Sequence, residues 1–153
     1  MKRSIKLVLA ILVVLLLGLQ FMPSYKNESH KQPSAPFVAA YPVPENIESI
    51  LKRSCYDCHS NNTQYPWYAR VQPVRYWLDR HVEQGTEELN FDEFGNYSNR
   101  RRRNKLSAIA NSLKERSMPL KSYLLIHHNA KINSRDSATI VDWINRIDIS
   151  GVN

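Results

Sequence analysis

Apolar positions along this chain follow helical rather than strand spacing. From Leu7 to Met22 the sequence is almost continuously apolar, interrupted only by Gly18 and Gln20. Beyond residue 43, apolar residues recur every three or four positions, the period of a helix with one buried face. No stretch of useful length alternates between apolar and polar residues. The pattern therefore predicts an all-α protein.

Four amphipathic helices are predicted after residue 43. Each combines an apolar stripe with residues that favour a helix start or stop, such as Pro44 at a first position, Gly85 as a C-cap and Ser134 as an N-cap. Their predicted extents are Pro44 to about Cys55, Pro73 to Gln84, Ser98 to Arg116, and Ser134 to at least Ile147. The first stripe, which includes Ile47, Ile50 and Leu51, places Cys55 on the buried face.

The N-terminal apolar run follows a basic start that contains Lys2, Arg3 and Lys6. A basic head with an apolar core is typical of a secretory signal or a signal anchor. The run of about 16 residues is slightly short for a span of roughly 17–25 residues, but no small-x-small cleavage site follows it. We therefore expect an uncleaved inner-membrane helix, with the following chain in the periplasm because basic flanks stay in the cytoplasm.

Three regions follow from these patterns. Residues 1–22 are predicted to be the membrane segment. Residues 23–42 are rich in Pro, Ser, Lys and Ala, with little periodicity, and are predicted to form a tether. Residues 43–153 are predicted to form one folded domain, a size at which a single chain can bury a core.

Composition and charge narrow the range of partners only a little. The formal net charge is +7, but the basic N-terminal head contributes to it, so no nucleic-acid partner is predicted. Arg100–Arg103 at the start of the third helix is either a docking patch for an acidic partner or lipid headgroups, or a solvated face.

Cys55 and Cys58 are the only cysteines, and His59 follows directly in the sequence CYDCH. Two thiols at this spacing can form thioether bonds to the two vinyl groups of one haem, and the adjacent histidine then becomes the proximal iron ligand. A disulfide between the two cysteines and a zinc site completed by histidines are the alternatives.

A haem that only transfers electrons usually has a second axial ligand. Met118 is a candidate because it stands in a polar loop directly before Pro119. The alternatives are an imidazole from His81, His127 or His128, or an open iron site.

The segment that follows the motif, NNTQYPWY, is rich in aromatic residues. Tyr65 and Trp67 are candidates for packing against the porphyrin, and Arg70 for bonding a propionate. The alternative is an aromatic loop packed on the core.

Four blocks, CYDCHSNNTQYPWY, RHVEQG, LNFDEF and MPLKSYLLIH, resemble the bacterial haem-binding domain family with a single CxxCH. The resemblance covers about Val43 to Ile147 and extends more distantly to class I cytochromes c. It implies one covalent haem c per chain at Cys55 and Cys58, with His59 as proximal and Met118 as distal ligand. It also implies a cytochrome c-like helical domain in which the first and last helices cross beside the haem.

The expected function is that of a membrane-anchored monohaem cytochrome that exchanges single electrons with redox partner proteins in the periplasm. One alternative is a haem-based sensor or peroxidase-like enzyme with an open or labile distal site. Another is a non-redox module closed by a Cys55–Cys58 disulfide. The sequence gives neither the electron donor and acceptor nor the oligomeric state.

Overall fold

Helices make up the regular structure of this chain. The computed structural model describes the backbone of residues 2–150 and the side chains of residues 3–147. The α-helices are α1 (Lys2–Leu19), α2 (Phe37–Ala40), α3 (Glu45–Ser54), α4 (Tyr56–His59), α5 (Val74–Glu88), α6 (Asn99–Glu115), α7 (Lys121–Leu124) and α8 (Ser134–Ser150). Short 3-10 turns lie at Trp67–Arg70, Phe94–Asn96 and His128–Ala130. No strand forms among the described residues, which confirms the all-α prediction.

The prediction of an N-terminal membrane helix is wrong. In the described part of the chain, no helix is both long enough and apolar enough to cross a membrane. The apolar run forms α1, whose 18 residues extend about 27 Å, against a hydrocarbon core of about 30 Å. Three of these residues, Lys2, Arg3 and Lys6, are charged. The predicted inner-membrane location is therefore also wrong, because it depended on a single N-terminal membrane helix.

The segment of residues 23–42 contacts the domain at several points, among them Asn27 and Phe37. The Asn27 side chain is buried and donates to the Ser60 carbonyl at 2.6 Å and to the Thr63 hydroxyl oxygen at 3.0 Å. Phe37 lies in the core with only 1% of its surface exposed. Isolated buried side chains in a segment without a long helix produce no periodic signal, so the boundaries of the tether stay a prediction.

The core is built on the predicted apolar stripes. Helices α3, α6 and α8 contribute buried residues at helical spacing, namely Ile47, Ile50, Leu51, Leu106, Ala110, Leu113, Ile140, Val141 and Ile144. The first and last helices of the domain, α3 and α8, pack against each other. Arg53 and Asp136 join them by an ion pair of 3.2 Å at the surface.

An aromatic cluster completes the core between these helices. The Phe37 ring packs edge-on against Phe91, Phe94 and Trp143, at centroid distances of 5.2, 4.7 and 5.8 Å. Phe91 and Phe94 come from the irregular segment after α5, and both are fully buried. Edge-to-face aromatic contacts add stability beyond the area they bury, so this segment is fixed without regular structure.

The ends of α6 follow the prediction closely, whereas the end of α5 does not. The Ser98 hydroxyl caps α6 by accepting from the Arg101 backbone N–H at 3.3 Å, and Arg116 ends it with a left-handed φ of 54°. Helix α5 was predicted to stop before Gly85, but it continues to Glu88. Gly85 is thus an interior residue of the helix, and its role lies in a close contact with the CYDCH turn.

Candidate functional site

The CYDCH motif forms a compact turn at the junction of α3 and α4. The backbone N–H groups of Cys58 and His59 both donate to the Cys55 carbonyl, at 3.1 and 3.0 Å. Both cysteines are free thiols. Burial raises the pKa of Cys55 to about 12, and the nearby Cys58 adds a smaller increase. Burial likewise raises the pKa of Cys58 to about 11, and the charge of Asp57 adds a smaller increase. At neutral pH the turn therefore presents two neutral thiols within one helical turn.

The geometry of His59 fixes its tautomer. Its Nδ1 lies 2.8 Å from the Gly85 carbonyl oxygen and 3.1 Å from that of Leu89. Carbonyl oxygens only accept, so Nδ1 carries the proton and donates to both. Burial lowers the pKa of His59 more strongly than these two bonds raise it. The ring is therefore neutral, and the lone pair on Nε2 is available to a metal.

Helix α5 approaches the motif at Gly85. A Cβ atom at this position would lie 2.4 Å from the Cys58 carbonyl oxygen. Such a distance is far below van der Waals contact, so a side chain would force the two backbones apart. The absence of a side chain at Gly85 allows its own carbonyl to reach the His59 ring.

Phe91 holds the motif against the core from the other side. Its ring stacks on Tyr56 at 4.8 Å with an angle of 3° between the planes, and it meets His59 edge-on at 6.5 Å. Its backbone N–H also donates to the His59 carbonyl at 2.8 Å. Phe91 thus positions the motif, although the segment after α5 in which it lies shows no helical or strand period in its sequence.

The three predicted haem contacts after the motif do not share a cavity with it. The Tyr65 hydroxyl oxygen accepts from the Asn27 backbone N–H at 3.0 Å. Trp67 is 78% exposed, and Arg70 is also exposed. None of the three lines either cavity beside the motif, and their roles toward a haem stay predictions.

Another set of side chains lies beside the motif instead. A cavity of about 620 Å³ is bordered by Asp57, Tyr123 and His127 among others. A much smaller cavity next to it is lined by the same three residues together with Cys58 and Tyr68. Of these residues, the sequence predicts only His127 as a ligand candidate, beside His81, His128 and Met118. The signal for Tyr68 and Tyr123 was their place in the blocks YPWY and MPLKSYLLIH.

Met118 lies away from these two cavities. It is 42% exposed, lines neither of them, and leads through Pro119 into the short helix α7. Its role as a distal ligand stays a prediction.

Comparison with known proteins identifies the family. A family model described as a haem-binding domain matches residues 14–146. The chain belongs to this haem-binding domain family. No curated protein and no solved structure matches the chain.

The residues of this haem-binding domain suit the cofactor. Haem iron commonly takes a neutral imidazole as its proximal ligand, and His59 is held in the required tautomer. Cys55 and Cys58 are reduced and adjacent to it. For the zinc alternative, no group of three or more His, Cys, Asp or Glu side chains in the described part of the chain lies close enough to hold a metal ion.

Proposed function

We propose that the chain carries one haem c, joined by thioether bonds to Cys55 and Cys58, and transfers single electrons to and from redox partner proteins in the periplasm. His59 is the proximal ligand and Met118 the distal ligand. The basic and apolar start of the chain supports export, and covalent haem attachment in bacteria takes place outside the cytoplasm.

The observation that carries this proposal is the state of His59 beside two free thiols. Two backbone carbonyls hold Nδ1–H, at 2.8 and 3.1 Å, which fixes the ring plane and leaves Nε2 free. Such partners of a ligating histidine orient it and raise its basicity. Because Cys55 and Cys58 belong to the same turn as His59, these three residues would hold the haem, with the two thiols supplying the thioether bonds.

Covalent attachment predicts a specific set of masses. When the full chain is produced together with a haem c maturation system, its intact mass should rise by that of one haem. Each single variant, Cys55→Ser or Cys58→Ser, should keep the haem through one thioether bond, and the double variant should lose it on denaturation. A wild-type chain that releases its haem on denaturation would refute covalent attachment.

The distal ligand is tested by the spectrum of the ferric protein. A methionine sulfur on ferric haem gives a weak charge-transfer band, which Met118→Ala should abolish. Met22→Ala is the matched control, because Met22 is 41% exposed and Met118 is 42% exposed, and it should leave the band unchanged. Loss of the Met118 sulfur from the iron should also lower the reduction potential of the haem, because this soft ligand favours ferrous iron.

The exposure of Met118 favours one second candidate function. A distal ligand that is held loosely leaves the iron open to small molecules, as in a haem-based sensor or a peroxidase-like enzyme. High-spin ferric haem in the wild-type protein would support this candidate over the electron carrier.

A further inference from the structure

The segment from Met118 to His127, here called the distal loop, is only weakly fixed by burial. Leu125 is 74% exposed and Ile126 is 61% exposed. Met118, at the start of the loop, is 42% exposed. Apolar packing alone therefore does not hold this loop on the domain, and its position depends on other contacts.

One such contact joins the loop directly to the haem-attachment motif. The Tyr123 hydroxyl donates to Asp57 Oδ2 at 2.6 Å. Asp57 stands between Cys55 and Cys58, so this bond connects α7 to the turn that holds the cofactor. A hydrogen bond to a charged acceptor is among the stronger ones in proteins.

A second contact lies one turn farther along the loop. His127 Nε2 and the Tyr68 hydroxyl are joined by a hydrogen bond of 2.6 Å. The imidazole also stacks on the Tyr123 ring at 4.2 Å, with 9° between the planes. Tyr123 and His127 thus form one unit, bonded to the motif on one side and to the segment after it on the other.

We propose that Tyr123 and His127 are positioning residues that fasten the distal loop to the CYDCH turn and thereby keep Met118 on the iron. The inference rests on the proposed function, in which Met118 is the distal ligand. Met118 stands five positions before Tyr123, and the backbone N–H of Leu124 donates to the Leu120 carbonyl at 3.1 Å. Release of Tyr123 therefore frees the part of the loop that carries the methionine.

The expected effect is a larger population of molecules with the distal position open. An added ligand such as imidazole binds only to that population, so its apparent dissociation constant falls as the open fraction rises. Loss of a hydrogen bond to a carboxylate should raise the open fraction about tenfold.

The experiment titrates the ferric, haem-loaded full chain with imidazole and records the methionine charge-transfer band. Tyr123→Phe keeps the ring and removes only the hydroxyl, and should bind imidazole about tenfold more tightly. Tyr68→Phe, which releases His127, should change the affinity in the same direction. Tyr76→Phe is the matched control, since Tyr76 is 52% exposed, and should bind like the wild type.

The possible failures are distinguishable. If the wild-type band is present but Tyr123→Phe and Tyr68→Phe both bind imidazole like Tyr76→Phe, the positioning role is refuted and the proposed distal ligand stands. If the wild-type protein has no such band, the distal methionine itself is refuted, and this inference falls with it. A urea titration of each variant, followed by tryptophan fluorescence, shows whether the domain remains folded.

Discussion

Replacement of Phe91 by alanine is expected to lower the free energy of unfolding by about 4 kcal/mol, within the range for truncation of a buried phenylalanine. Phe91 is fully buried, and its ring packs against Phe37, Tyr56 and His59. The substitution leaves a cavity directly behind the CYDCH turn. Urea unfolding of the haem-loaded protein measures the loss, and His59, the proposed proximal ligand, should also become easier to displace by imidazole.

The matched control is Phe21→Ala, because Phe21 is 89% exposed and lies just after α1. Removal of an exposed ring should change the free energy of unfolding by less than about 0.5 kcal/mol. Equal effects of the two substitutions would contradict the position of Phe91 in the core.

Gly85→Ala is expected to destabilise the protein although it introduces a better helix former. Alanine gains about 1 kcal/mol over glycine in a helix interior. The new Cβ would lie 2.4 Å from the Cys58 carbonyl oxygen, and neither backbone can move aside at low cost. Overpacking of this kind typically costs up to about 3 kcal/mol, so the net loss in the free energy of unfolding should be about 2 kcal/mol. Separation of the helices would also lengthen the bond from His59 Nδ1 to Gly85 and reduce haem incorporation.

Gly18→Ala provides the same chemical change without the close contact. No atom lies within 4 Å of a Cβ built on Gly18, so only the gain in helix propensity remains, and haem loading should equal that of the wild type. Equal haem loading and an equal free energy of unfolding in the two variants would contradict a dependence of the structure on the close contact between Gly85 and the Cys58 carbonyl.

The features that could be predicted from the sequence are those with a local signal. The stripes of α3, α6 and α8 repeat at helical spacing, and the buried residues of those helices lie on the predicted faces. The CYDCH motif is contiguous, so it could be singled out without a structure, and haem attachment at its cysteines stays a prediction. Membership of the haem-binding domain family was likewise predicted from contiguous blocks, and the family match confirms it.

The features that were missed depend on contacts between distant parts of the chain. Gly85 was assigned as a helix end because glycine commonly ends helices, whereas its actual role depends on Cys58, far away in sequence. Phe91 and Phe94 lie in an irregular segment, where burial leaves no period. The prediction of an N-terminal membrane helix is wrong because it rests mainly on apolar composition, whereas α1 has only 18 residues and three of them are charged.

The buried amide of Asn27 sets a limit on how far this protein can be shortened. The Asn27 side chain donates to the Ser60 carbonyl, one residue after His59, and the Asn27 backbone carbonyl accepts from the Thr63 N–H at 2.9 Å. A truncated version that starts at residue 43 would also lose Phe37 from the aromatic cluster. A shortened protein that keeps these contacts to the CYDCH turn therefore has to begin before Asn27.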